Sequence, residues 1–349
     1  MKCAWVALAC LLVPAVLTST GASTHAARQA YQPRLTPWGD PDLRATWTLG
    51  RIADAGIPLE RPADMGDRRW LTDAEFVKRL AAAKKSDADY QEDVDANGTR
   101  GLAAWLLASP FGRRSSLIVS PANGRLPPMT PAGEALFTAG RNSWNTGQPI
   151  DWVADLDTYD RCISRGIASV VLPWPNNDGI RVFQAPGYVV LQLEVLGTRI
   201  IPVGHGADLP PQVRTWGGQS LGHWVGSTLV IETRNIVAGD SVSGDMAKRA
   251  ASPLSGRGRG LVPMSEKATT VERLTMTGPG TLDYEVTYSD PEVFTAPWTV
   301  EDEWTRDDHY QMYEFACHEG NEVRELIAAS RAQRKKDAAA GVAGNVARK

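Results

Sequence analysis

Residues 313–322 read YEFACHEGNE, which sets a thiol, an imidazole and a carboxylate side by side at Cys317, His318 and Glu319. Such a trio serves a thiolate nucleophile with its base, a metal site, or a disulfide at a strand end. Cysteine usage bears on the choice. The chain has four cysteines, and two of them sit in the first ten residues. There Met1-Lys2, the 14-residue apolar run AWVALACLLVPAVL and the small residues of TSTGASTHAA have the layout of a secretory signal peptide. The run is too short for a comfortable membrane span. Cleavage is expected between Ala22 and Ala27, giving a periplasmic or secreted protein. The mature chain then keeps Cys162 and Cys317, 155 residues apart. Two thiols in an oxidising compartment most simply form one disulfide, with a free Cys317 nucleophile as the alternative. Closing a loop of that length contributes up to about 5 kcal/mol in the chain-entropy model.

The remaining candidates come from strand parity, since alternate residues share a face. In HYQMYEFA, Tyr310, Met312 and Glu314 align; in WTVEDEWTR, Trp298, Val300, Asp302 and Trp304 align. Each run puts one carboxylate among large apolar side chains. An inward carboxylate must be paired or protonated. Pairing with Arg161, Arg181, Arg199 or Arg273 gives a structural ion pair, and a raised pKa gives a proton donor near neutral pH. Glu194 and Glu272 read as outward, wetted residues. His205 follows RIIPVG, His223 opens a strand beside Trp224, and His318 lies on the side of Glu314 if that strand continues. The candidate catalytic residues are therefore Glu314, Asp302, His223 and His318. Trp224, Trp298, Trp304, Tyr310, Met312, Tyr284, Glu194 and His205 are the candidates for holding a ligand. HEGNE is not H-E-x-x-H, and no pair of histidines has metal-ligand spacing, so no metal is expected. There is no G-x-S-x-G elbow, dinucleotide turn or Walker loop, and no cofactor is expected.

These residues need a scaffold, and the turn-rich spacing of short apolar runs predicts one. From Ser115 about eight strands follow at close spacing, broken by Pro-Gly, Leu-Gly and GPG. That is the pattern of an antiparallel barrel or sandwich, lipocalin-like in kind. The expected layout is a signal peptide over 1–27, an N-terminal wrap over 28–114, a β domain over 115–320, and a C-terminal helix with tail over 321–349. In the wrap, LTDAEFVKRLAAAKK predicts a helix with Thr72 as cap and Glu75 closing a capping box. Residues 86–100 read as an acidic loop carrying the sequon at Asn97, and 245–265 as a long loop between strands. Asn321 is expected to cap the last helix. A net charge of -3 gives no reason to expect nucleic acid or an anionic membrane surface as partner. Twelve tryptophans fit an aromatic core or an aromatic-lined cavity.

The segments PDLRATW, FQAPGYVVLQLE, RIIPVGH, SLGHWVGSTLVIET, VERLTMTGPGTLDYEVTYSDPEVFTAPW and YEFACHEGN stand in order along the chain. Together they resemble a large, mainly uncharacterised family of exported bacterial proteins with a central motif of the form G-R-W-E-G-D-T-L-V-V. The resemblance spans most of residues 37–330 and implies export and a β-rich fold, without an activity. Here His223, Val225 and Ser227 stand where that motif has Arg, Glu and Asp, which directs attention to His223.

Three functions fit these residues. The first is an exported, cofactor-independent enzyme that moves protons on a hydrophobic or aromatic molecule in a β-barrel cavity, as an isomerase, cyclase, lyase or hydrolase. The second is a carrier of the same ligand, and the third a structural envelope or interaction module.

Overall fold

Apolar and polar residues alternate along most of the strands, so each strand has one face to bury and one to leave in water. The computed structural model describes residues 31–48, 57–82, 113–139, 150–156, 161–163, 179–194, 197–237 and 264–340. The expected signal peptide, the acidic loop with Asn97 and most of 245–265 lie outside the described residues. Ten strands are described: β1 (Ala45–Thr48), β2 (Ile118–Ser120), β3 (Gly179–Ala185), β4 (Tyr188–Leu193) and β5 (Thr198–Pro202). After these come β6 (Gln219–Val225), β7 (Thr228–Arg234), β8 (Thr269–Gly278), β9 (Thr281–Ser289) and β10 (Trp298–Arg306). The helices are α1 (73–82), α2 (Pro131–Ala139) and α3 (Val323–Ala339).

The strands form one antiparallel sheet in the order β5-β4-β3-β1-β10-β9-β8-β7-β6, with β2 also pairing β10. Its two ends meet at an isolated bridge between Val203 and Gly222, so the sheet is a nearly closed barrel. Tight turns fix the registers. Gly226 (φ 60°) and Ser227 make the two-residue turn of β6–β7, closed by Val225 opposite Thr228. Pro279-Gly280 joins β8 to β9 beside a register shift at Met276–Gly278, the hairpin expected from GPG.

The barrel is filled by the inward faces. Trp47, Trp298, Trp304, Tyr284 and Tyr288 are all 0–1% exposed and pack with Leu229, Ile231, Leu274, Leu282 and Val286. Burying each such ring contributes on the order of 3 kcal/mol. Trp304 stacks on Tyr284 with centroids 4.8 Å apart, and Trp298 packs on Tyr288 at 5.2 Å.

The expected helix over the LTDAEFVKRL stretch forms, with its capping box intact. The Thr72 amide donates to Glu75 (2.8 Å) and the Glu75 amide to the Thr72 hydroxyl (3.3 Å). Three expectations need correction. The wrap is not all loop and helix: PDLRATW supplies β1, which inserts between β3 and β10 through the buried Trp47. HYQMYEFA is not a strand. The edge of β10 beyond β9 is already occupied by β2 and β1, so the segment crosses the end of β3 and β4 instead. Buried Glu194 holds it there, accepting from Tyr310 Oη (2.5 Å) and the Tyr313 amide (2.9 Å). Asn321 does not cap α3; its N-cap is Glu322, while Asn321 Nδ2 lies 3.4 Å from Cys162 Sγ.

Candidate functional site

The opening trio resolves into a covalent staple with exposed neighbours. Cys162 and Cys317 form a disulfide, and His318 and Glu319 stand exposed in the turn beside it. Glu314 is also exposed and lies outside any strand, so the alignment proposed for it with Tyr310 and Met312 is lost. His223 is exposed on the outer face of β6 beside Val225, while the indole of Trp224 packs against the core. Its neighbour Gly222 has a packing role: a Cβ there would stand 3.1 Å from Ile201 and 3.2 Å from Val203, which is where the barrel closes. His205 packs edge-on against Tyr188, 4.9 Å between centroids, with Nδ1 3.0 Å from the Val203 carbonyl.

The two glutamates read as wetted are buried. Glu194 anchors the crossing segment described above. Glu272 is 0% exposed inside the barrel and takes both arms of the Arg199 guanidinium, Nη1 at 2.8 Å and Nη2 at 2.6 Å. Tyr284 Oη donates to the same carboxylate at 2.8 Å. Burial pushes Arg199 toward its neutral form, and the charge and hydrogen bonds of Glu272 more than reverse this. Burial, then the Glu272 carboxylate, raises the Tyr284 phenol well above its ordinary pKa. Trp298 and Trp304 are core residues for the same reason that Tyr284 is: their strands turn these positions inward. This packing moves the candidate site from the interior of the barrel to its outer face.

There, β8, β9 and β10 turn their polar residues into a cleft of about 610 Å³. The opposite wall comes from the N-terminal wrap, where Trp70 pairs with Arg114 in an isolated bridge and Ile57 adds an apolar surface. Trp70 is 58% exposed. The cross-strand registers bring like charges face to face: Glu303 opposite Asp283, and Glu301 opposite Glu285. Such pairs destabilise a sheet unless something compensates. For the second pair something does. Arg273 stands 3.6 Å from Glu285, and Arg69 donates to Glu301 at 3.0 Å. Arg114 lies 3.7 Å from Glu301 and 3.5 Å from Asp302. It enters beside β10 between the stretches that pair β2 and β1, and this is how the buried Asp302 joins the cleft.

Among the described residues, Asp283 and Glu303 have no cation in ion-pair contact. Asp283 keeps an exposed edge, yet the cleft thins the water around it. That burial, followed by the charges of Glu303 and Glu301, raises its pKa above the ordinary aspartate value against a smaller pull from Arg114. The cleft thus has a carboxyl disposed to hold a proton opposite a second carboxyl, the arrangement that separates an acid from a base.

Of the residues singled out from sequence, the structure brings Asp302 and Tyr284 together at this cleft, and Tyr310 with Glu194 away from it. Glu314, His318, His223 and His205 lie outside its lining. Asp283, Glu303, Arg114 and Trp70 were not read from sequence. The parity of LDYEV and TVEDEWT, which turns Asp283, Glu285, Glu301 and Glu303 away from the apolar set, is the signal that finds two of them. Among the described residues no group of three or more His, Cys, Asp or Glu is arranged to hold a metal ion, and no helix is long and apolar enough to cross a membrane. Comparison with protein-family models, curated proteins and solved structures finds no match for this chain.

Proposed function

We propose that this is an exported enzyme that moves protons on a small molecule carrying a positive charge beside an apolar or aromatic group, bound in the outer cleft of the barrel. The observation that carries this reading is the opposed Asp283–Glu303 pair in a cleft of about 610 Å³, with no cation in ion-pair contact among the described residues. That volume lies within the usual range for small-molecule sites. A ligand ammonium or guanidinium between the two carboxyls would relieve their repulsion, and the face of Trp70 would support the cation or an adjoining ring. Asp283 serves as the acid because burial and the neighbouring carboxylates favour its protonated form. Glu303 serves as the base, and proton exchange with water resets the pair. Arg114 holds Asp302 and Glu301 on the adjoining side. The disulfide supports the oxidising compartment that export implies.

The test offers purified mature protein a panel of small amines and an extract of its host, with mass spectrometry of retained and altered compounds. Turnover is expected in the parent protein and a fall of about 10²–10⁴-fold in folded Asp283→Asn or Glu303→Gln. Retention without conversion, equal in all three proteins, would replace the enzyme with a carrier. A separate observation favours an interaction module: Phe183, Val190 and Ile200 form one cross-strand row on the outer face of β3–β5, with Phe183 46% and Ile200 65% exposed.

A further inference from the structure

The barrel has one weak join. Among the described residues, β5 and β6 end the strand order, run parallel, and meet through one bridge at Val203 and Gly222, where the Gly204 amide donates to Gly222 (2.8 Å). Parallel bridging of this extent leaves most of β5 without a ladder on that side. Outside, the segment after β5 crosses the join through exposed contacts: the Leu209 amide donates to Gln219 Oε1 (2.8 Å) and Gln219 Nε2 to Ala207 (2.7 Å). Inside, Arg199 reaches from β5 across three strands. Its Nη2 donates to Ser220 Oγ of β6 (3.1 Å), lies 3.4 Å from Thr233 Oγ1 of β7, and joins Nη1 in gripping Glu272 of β8. Its side chain is 11% exposed and that of Glu272 is 0% exposed, so the link is shielded from water and salt.

We propose that Arg199 is the latch of the barrel: the structure opens locally along the β5–β6 join, and the Arg199 fork holds it shut. A planar fork fits this role because it can hold Glu272 with two nitrogens while one of them also reaches the hydroxyls of β6 and β7. A lysine could keep the charge pair and lose the span. β8 and β9 are each laddered on both sides, so their pairing does not need the span across the join.

Hydrogen exchange read by mass spectrometry on the full chain tests this with Arg199→Lys, and with Arg199→Gln as a second variant. The latch predicts exchange of the β5 and β6 amides about tenfold faster in Arg199→Lys, with β8 and β9 within about twofold of the parent. Unchanged exchange at β5 and β6 would overturn it. So would an equal rise in every strand of Arg199→Lys, which keeps the buried charge pair and loses only the span across the join. If Arg199→Gln also unfolds nothing and speeds no strand, the join is held by the outer contacts of Gln219 instead, and the proposal fails.

Discussion

Two carboxylates one strand apart meet opposite fates. Glu272 of β8 points into the barrel, where Arg199 and Tyr284 satisfy it completely. Asp283 of β9 points outward and faces Glu303 across the ladder, and among the described residues neither has a cation in ion-pair contact. Burial cannot tolerate an isolated charge, so the interior site had to be neutralised for the chain to fold. The surface imposes no such demand and can hold opposed charges at small cost. A pair kept in that state is free to act on something that arrives from solution.

Breaking the interior pair gives the largest effect. Glu272→Leu or Arg199→Met alone leaves one buried charge and is expected to cost about 3–5 kcal/mol, whereas the double variant recovers most of it. Chemical denaturation of the three proteins checks this, and mild single variants would place the pair in water. Glu194→Gln comes next, at about 2 kcal/mol, because two hydrogen bonds to its carboxylate weaken and the segment carrying Tyr310 and Tyr313 loosens. Thermal unfolding measures that loss.

The smallest effect has the opposite sign and sharpens the contrast most. Asp283 binds its proton more tightly folded than unfolded, so its favourable contribution exists below the ordinary aspartate pKa of 3.8 and is lost as pH rises through the raised value. Once ionised, the pair opposes folding. Asp283→Asn should therefore stabilise the protein at pH 7 by about 0.5 kcal/mol after solvent screening, and the gain should vanish as pH falls through the aspartate range. Tm measured across pH reads it directly; a variant less stable than the parent at pH 7 would mean that Asp283 has a favourable partner.

Much of the fold was legible. Alternation in ERLTM, LDYEV and TVEDEWT shows which residues enter the core, and the GPG turn pairs two of those runs. The disulfide followed from counting cysteines in a chain expected to be exported. What parity could not show was which face of a strand is covered on both sides. Glu272 shares its inward face with Leu274 and Met276, yet reads as wetted until β5 brings Arg199 to it from more than seventy residues away. HYQMYEFA alternates as a strand should, and fails to become one because β1 and β2 already occupy the edge it would need. The cleft stayed hidden because its acids meet only through the β9–β10 register, and its wall, Trp70 with Arg114, comes from a region without regular periodicity.

The most direct measurement follows the side-chain carboxyl of Asp283 by carbon-13 NMR during a pH titration, in the parent protein and in Glu303→Gln. A midpoint above the ordinary aspartate value, falling back toward it once Glu303 is neutral, is the predicted result. An ordinary midpoint that Glu303→Gln does not move would show the two carboxyls to be independent and would contradict the acid–base pair at the centre of the proposed function.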